Sequence, residues 1–409
     1  MNRRTFLRAL AGAGVLGLGG SAFAFWPEQG LKNPCKGATP PELLRHPLLR
    51  SLWDGIDPAK VWDAHAHLVG SGDSGSGAWF SPKMGSLWHP LLSLQKSFFV
   101  NAGCMQPESM DASYVDRLLA QMRELPPGCK ILLFAFDWAH DGEGRPDPGR
   151  SIFHVPNRYA QAIAAAAPER FEWVASIHPH RADAVEALRS AAANGARAIK
   201  WLPSAMAIDP ASARCDASYA ELARLDLPLV SHAGRELAVQ GGNQAFGNPL
   251  RLRRPLEHGV RVVVAHCASD GSDIDLDRGA NGPRVRSFDL FARMMAQPQF
   301  EKHLYADISA LTQRNRDWAF AEVLARPEWH ARLLNGSDYP LPGIFPMFEV
   351  RGWAERGMVD PAAVAPLQQL REHNPLYFDF ALKRLLHRDG RRLPTTIFET
   401  RPFFDRSAT

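Results

Sequence analysis

Cysteine is scarce in this chain: five residues, at positions 35, 104, 129, 215 and 267, in a total of 409. That is too few for a disulfide-built scaffold, and one thiol must stay unpaired. Cys104 and Cys129 flank a loop-rich stretch and are a conceivable pair, though not a favoured one. An excess of one charge is missing too. Lys and Arg number 47 against 43 Asp and Glu, a net +4. Three of those positives (Arg3, Arg4, Arg8) sit in an acid-free stretch of residues 1–24, so removing them leaves +1 for the remainder. A near-neutral body offers no electrostatic reason to expect nucleic acid or an anionic membrane surface as partner. Past the leader there is no internal repeat and no low-complexity domain. A nucleophile elbow, a Walker loop and a Ser/His/Asp order are also absent, which sets aside several large classes of hydrolase and nucleotide-binding protein. With 45% hydrophobic and 22% charged residues, disorder is excluded as well.

The first 24 residues have a basic start, an apolar Gly-rich run and an ending Ala22-Phe23-Ala24. This pattern predicts an export signal cleaved after Ala24. Arg3-Arg4 followed by Phe6-Leu7 resembles the twin-arginine signature. The run is too short and too rich in Gly and Ala for a stable membrane span, and Cys35 lacks a preceding lipobox. The mature protein is therefore expected in the periplasm or secreted, and folded export is compatible with a metal loaded in the cytoplasm.

From about residue 60, short apolar runs alternate with helix-period segments, which argues for βαβ units and a parallel sheet. The strand-like runs are 61–68, 131–137, 171–178, 196–202, 227–232, 260–266, 304–308 and 333–338. Helical patterns fall between them, among them 111–125, 158–169, 182–194, 287–296 and 316–331. Eight such units predict a (β/α)₈ barrel, with a 25–60 extension before the 61–390 barrel and a 391–409 tail after it. An open doubly wound sheet would need a phosphate turn after the first strand. The Gly70–Gly77 stretch instead leads into Ala-Trp-Phe-Ser-Pro and is expected as a flexible loop. It opens a long aromatic-rich insertion, about 70–110, carrying Trp79, Phe80, Trp88, His89, Phe98 and Phe99. We expect it over the barrel mouth, shaping a substrate pocket.

Chemistry-bearing residues gather at strand ends. Asp63-Ala64-His65-Ala66-His67 puts two imidazoles on one face of the first strand, a half-site for a divalent metal. Lys200 ends the fourth run, His232 the fifth, His266 the sixth and Asp338 the eighth. Barrel strands end on one rim, so these groups should meet; burying them without a metal or a reaction to serve would be costly.

The order His-x-His, Lys, His, His, Asp resembles the amidohydrolase superfamily, particularly its amidohydrolase-related branch of aminocarboxymuconate-semialdehyde decarboxylase-like enzymes. Gly336-Ser-Asp-Tyr-Pro340 and the segment starting Asn374-Pro-Leu-Tyr-Phe also resemble that branch. The resemblance implies that His65, His67, His232 and Asp338 hold one metal. A second ion, where present, would take His266 and a carboxylated Lys200. Zinc is the expected ion, one or two per chain, with one favoured. It further implies Asp338 as proton shuttle and His266 as a catalytic group polarising the attacked carbonyl. The expected activity is hydrolysis of an amide, ester or lactone-type carbonyl in a small molecule. The alternatives are metal-dependent decarboxylation and a non-catalytic metal- or ligand-binding barrel. Relatives are often homo-oligomers.

Arg235, Lys200 and His178 are the candidate substrate-binding residues, with Trp138, His140 and His180 on the same rim. The Asp270–Gly279 loop has alternating acids, but Arg278 and Arg284 stand where a calcium loop needs Gly and Glu, so a solvated acidic loop is expected. Cys267 is expected in the core.

Overall fold

The structure, a computed structural model, describes residues 27–239 and 242–405; the expected export signal lies outside these residues. Eight parallel strands follow one another: β1 (Trp62–His67), β2 (Lys130–Phe134), β3 (Phe171–Val174), β4 (Ile199–Trp201), β5 (Leu229–His232), β6 (Val262–Ala265), β7 (Leu304–Asp307) and β8 (Leu333–Leu334). They pair in sequence order as two arcs, β1 to β3 and β4 to β8. Two seams close the ring. Between β3 and β4, Ala175 N–H donates to the Ala198 carbonyl (3.0 Å) and Lys200 N–H to that of Ala175 (2.7 Å). Between β8 and β1, Ala64 N–H donates to Asn335 (2.9 Å), His67 N–H to Tyr339 (2.8 Å) and Asp338 N–H to His65 (2.7 Å). The chain is a (β/α)₈ barrel.

The helices wrap outside: α1 (Pro90–Ala102), α2 (Met110–Arg123), α3 (Asn157–Ala166), α4 (Ala184–Ala193), α5 (Asp216–Arg224), α6 (Ser287–Met295), α7 (Asp317–Leu324), α8 (Val364–His373) and α9 (Pro375–Leu385). In α6, Phe288, Phe291 and Met294–Met295 recur at helical spacing and are buried, the stripe that seats a helix on a sheet. None of the described helices is long and apolar enough to cross a membrane. The apolar interior falls into two clusters. A large one lies between strands and helices. A small one fills the barrel with Trp62, Leu132, Phe134, Val174, Val230, Val263, Leu334 and, from the C-terminal segment, Phe404.

The glycine-rich stretch after β1 is more organised than the expected flexible loop. The buried Asp111 carboxylate accepts Ser71 N–H (2.6 Å), Gly72 N–H (3.1 Å) and the hydroxyls of Ser74 (2.7 Å) and Ser76 (2.6 Å). Beyond it, Trp79–Phe80 pairs antiparallel with Phe153–His154, and the Trp79 ring lies 4.9 Å from that of Trp138. The Gln95 amide of α1 donates to the carbonyls of Leu237 (3.0 Å) and Ala238 (2.7 Å). The insertion thus touches loops that follow β2 and β5. After β8, buried Arg371 donates to the carbonyls of Pro342 (3.0 Å), Ile344 (3.0 Å) and Phe348 (3.3 Å). Its guanidinium sits among the rings of Phe345, Phe348 and Phe378.

Cys104 pairs with Cys35, not with Cys129. Cys129 is buried and free, its thiol pushed up to about 12 by burial. The bridge spans 69 residues and ties the N-terminal extension to the end of α1. Closing a loop of that length restricts the unfolded chain by about 4 kcal/mol at most. Cys35→Ser, and reduction of the unaltered protein, should each lower the denaturation midpoint; an unchanged midpoint in both would show that the bridge does not stabilise the fold.

Candidate metal centre

Strand parity builds the upper layer of the barrel. Ala198 and Val230 face the inner core, with Tyr305 packed beside them. Lys200, His232 and Asp307, two residues further on, therefore point inward one layer higher. β1 needs a correction to reach the same layer. Trp62 and Ala64 belong to the inner core but Ala66 to the outer one, and the register with β2 slips between Asp63 and Ala66. This bulge flips the parity, so His65 and His67 turn inward above Ala64. The half-buried Asp63 fixes it, its carboxylate accepting His65 N–H (3.1 Å) and Ser337 N–H (2.8 Å). Burial lifts the Asp63 carboxyl to about 7, against the pull of those hydrogen bonds.

Across the seam, a Cβ on Gly336 would stand 2.6 Å from His65 Cβ, so only glycine lets β8 close this tightly. The Gly336 carbonyl accepts from Lys383 of α9 (2.6 Å), itself paired with buried Asp379 (2.6 Å). Asp338 and His266 both adopt left-handed backbone, φ +59° and +54°. Non-glycine residues hold that conformation at a cost that clusters at functional sites.

Three ligand-type atoms converge. Asp338 Oδ1 lies 3.1 Å from His67 Nε2 and 3.5 Å from His65 Nε2, and the donor atoms of the three residues lie within 4.8 Å of one another. Asp338 Oδ1 is buried and has no hydrogen-bond donor. Burial alone would raise the Asp338 carboxyl, but His266, His67 and His65 around it hold it below the usual carboxylate range. His65 Nδ1 donates to Asp307 Oδ2 (2.8 Å), which leaves the Nε2 lone pair facing Asp338. A histidine oriented from behind by a carboxylate is the usual arrangement of a metal ligand. Buried Asp307 also accepts His266 N–H (2.9 Å) and the Ser309 hydroxyl. A second group, His65, His266 and Asp307, is equally close-set, but Asp307 spends its oxygens on these donors. The first trio therefore fits a divalent ion better.

The remaining predicted residues surround it. Lys200 Nζ lies 3.2 Å from His65 Nε2 and over the Phe134 ring, and burial brings its ammonium down to about 8. His266 Nε2 faces Asp338 Oδ2 at 3.7 Å, while its Nδ1 donates to Ser309 (Oγ 2.8 Å, carbonyl 3.1 Å). Burial pushes His266 down to about 3, so the ring is neutral and Nε2 carries a lone pair. His232 lies beside His266, ring centroids 5.5 Å apart, but its Nε2 turns to Glu236 at 3.2 Å and its Nδ1 has no partner.

A family model described as Amidohydrolase matches residues 62–356, from the first strand through the last and beyond. The chain belongs to the amidohydrolase family. Among solved structures it is similar to an uncharacterised TIM-barrel protein from Bordetella bronchiseptica, at 17% identity and TM-score 0.47, over 80% of this chain and 95% of that one. It is also similar to 5-carboxyvanillate decarboxylase from Sphingomonas paucimobilis, at 11% identity and TM-score 0.41, over 70% and 90% of the two chains. A third is 2,6-dihydroxybenzoate decarboxylase from Rhizobium, at 13% identity and TM-score 0.36, over 78% and 98%. These likenesses carry nothing about this chain's reaction. No curated protein matches it.

In this amidohydrolase, two predicted substrate residues stand apart from the trio. His178 is fully buried, with Nε2–H donating to the Met206 carbonyl (3.0 Å) and Nδ1 accepting His180 N–H (3.2 Å), so neither nitrogen is free for a ligand. Trp138 and His140 line a separate cavity of ≈ 570 Å³ with Asp137, His154 and Arg181. Arg235 is paired with Asp270 (3.0 Å), its side chain half exposed. The acids of the 270–279 loop are answered by protein groups, Asp275 and Asp277 by Arg293 (2.7 Å each) and Asp273 by the Ser287 hydroxyl (2.7 Å). Cys267 packs in the outer core.

Four groups at the centre are not among those the sequence singles out. Asp307 and Asp63 carry a readable signal, an acid within an apolar strand. Glu236 and Arg316 lie on loops and have none. Glu236 is buried, bonded to the N–H groups of Ala238 and Val239 (2.8 Å for the latter), and raised to about 7 by burial. Arg316 is buried, donates to the Ser269 hydroxyl (3.0 Å), lies 3.9 Å from Asp270, and leaves Nε without a partner.

Lys200 sets a pH dependence for ion binding. Below about 8 its ammonium points at the His65 lone pair that an ion needs; above it, that lone pair is freed. Chelator-buffered titrations should show affinity for a divalent ion rising by roughly tenfold per pH unit up to pH 8, with proton release on binding. Lys200→Met should flatten that slope, and a flat profile in the unaltered protein would contradict the arrangement.

Proposed function

We propose that the protein is an exported, metal-dependent hydrolase acting on an amide, ester or lactone-type carbonyl of a small organic molecule. The observation that carries this is the convergence of His65 Nε2, His67 Nε2 and the undonated Asp338 Oδ1 at the mouth end of the barrel. If bound there, a divalent ion, zinc by expectation, would provide Lewis-acid activation of the carbonyl and of a water, lowering the pKa of that water from about 15.7 towards 7. His65, His67 and Asp338 would hold it, with His232 able to join by turning away from Glu236. One ion is favoured, because Lys200 is a buried ammonium donating to His65 rather than placed to bridge a pair.

Asp338 is the base. Its ionised carboxylate turns Oδ1 to His65 and His67 and Oδ2 to His266, so a proton taken from the attacking water is held at Oδ2 and passed to the leaving group. His266 takes a different part from the one expected. With Nδ1–H committed to Ser309, its Nε2 has no proton to give an oxyanion; it accepts or relays the proton at Asp338 Oδ2. Asp307 fixes the His65 tautomer. The disulfide between Cys35 and Cys104 supports export, since such bonds persist in oxidising compartments.

Decarboxylation is the second reading, favoured by Arg316. A buried guanidinium with an unpartnered Nε in the same pocket suits a carboxylate on the substrate.

Elemental analysis of protein purified without added metal should find about one zinc-like ion per chain; about two would implicate Lys200 as a bridge. No ion, with none taken up on titration, would remove the basis of the proposal. Asp338→Asn should cost roughly 10² or more in kcat, and at saturating metal the loss should persist. Near-normal turnover in that variant would exclude Asp338 as the proton carrier. Release of CO₂ from carboxylated aromatics, with no turnover of esters, lactones or amides, would select the second reading.

A further inference from the structure

Among the described residues, the large hydrophobic side chains left exposed are Leu87, Trp88, Leu91, Leu94 and Leu237. They are not scattered. Four lie in the insertion, on the turn into α1 and its first two turns, and the Gln95 amide bonds the Leu237 carbonyl across to that helix. Trp88 is 92% exposed and Leu87 94%, so these side chains pack against almost nothing among the described residues. Apolar groups scattered singly need no explanation, whereas a contiguous patch of them marks an interaction surface.

The charges around the patch select the partner. Residues 74–107 contain no Asp or Glu, and their charged side chains are Lys83 and Lys96. Lys83 is exposed and donates to the Gly149 carbonyl (2.7 Å), and Lys96 lies over the Phe80 ring. Among the described residues neither has a carboxylate in ion-pair range. The nearby acid of the adjoining loop, Asp147, is taken by Arg150 (3.7 Å). The near-neutral charge of the whole chain conceals this local imbalance. A second copy seated patch to patch would bring no carboxylate from this segment to either lysine. An anionic lipid surface answers both features, taking the leucines and the tryptophan into its headgroup–acyl boundary and pairing the lysines with phosphates.

We propose that this patch docks the protein on an anionic phospholipid surface. Leu237 directly follows Glu236, which touches His232, so the patch borders the mouth of the metal centre. The docked mouth faces the lipid, and an amphipathic substrate reaches it from the membrane surface without crossing bulk water.

The test is flotation of the full mature protein with vesicles of phosphatidylcholine alone and of phosphatidylcholine with phosphatidylglycerol. Binding is expected to the phosphatidylglycerol vesicles and to weaken with salt. The triple variant Leu87→Ser, Trp88→Ser, Leu91→Ser should bind roughly tenfold less or weaker still, since each lost apolar contact is of that order. Lys83→Glu with Lys96→Glu should erase the preference for the anionic vesicles. All five positions are exposed or partly so, and an unchanged thermal midpoint certifies the fold of each variant. The proposal fails if the unaltered protein stays unbound with every vesicle, or if the variants bind as well as it does. It also fails if light scattering shows a dimer that the triple variant dissolves, which would assign the patch to a second copy.

Discussion

The mouth of this barrel depends on how β8 closes against β1. Three devices hold the seam. Asp63 ties the bulged strand to Ser337, Gly336 removes the Cβ that would strike His65, and Asp338 N–H closes onto the His65 carbonyl. Loosen any one, and His65 and Asp338 no longer share a point in space. The strained backbone at Asp338 is held by the same contacts, which is why a costly conformation can persist there. A barrel is suited to this because its first and last strands must meet, so residues more than 270 positions apart become neighbours by topology alone.

The electrostatics of the centre follow from its dryness. Asp307 and Asp338 are buried anions, and Lys200 and Arg316 are buried cations, with His65, His232 and His266 held neutral among them by burial. Balanced in this way, the pocket avoids the large penalty of isolated charge. A divalent ion added to that balance favours loss of the proton on the softest cation, which is Lys200. The arginine cannot yield its proton and keeps its charge.

Much of this was legible in the residues. Parallel strands buried on both faces read as apolar runs, and all eight runs became strands, although the hydrogen-bonded ladders are shorter than the apolar runs by one to several residues. His65, His67, Lys200, His232, His266 and Asp338 could be picked out because a polar group closing an apolar run is expensive. Asp307 shows the same pattern in Leu-Tyr-Ala-Asp, but its part as the partner of His65 is visible only in the fold. The bulge in β1 left no trace in the alternation, since two histidines spaced by one residue look alike with or without it. Arg235 and Arg316 illustrate the harder limit: both lie on loops, and only the folded path decides which guanidinium turns inward. The same holds for Cys35, whose partner is set by how the extension runs across the end of α1 and not by spacing.

Arg371 has a consequence for how natural variation here would be interpreted. It touches no residue of the metal centre, yet its planar fork gathers three carbonyls from the segment that follows Asp338. A lysine keeps the charge but offers one flexible ammonium, which cannot span all three or stack between the phenylalanine rings. A substitution that looks conservative on paper would therefore release the stretch of chain that follows Asp338. In the proposed reaction turnover would fall while His65, His67 and Asp338 were all still present, and the lesion would be mistaken for a catalytic one.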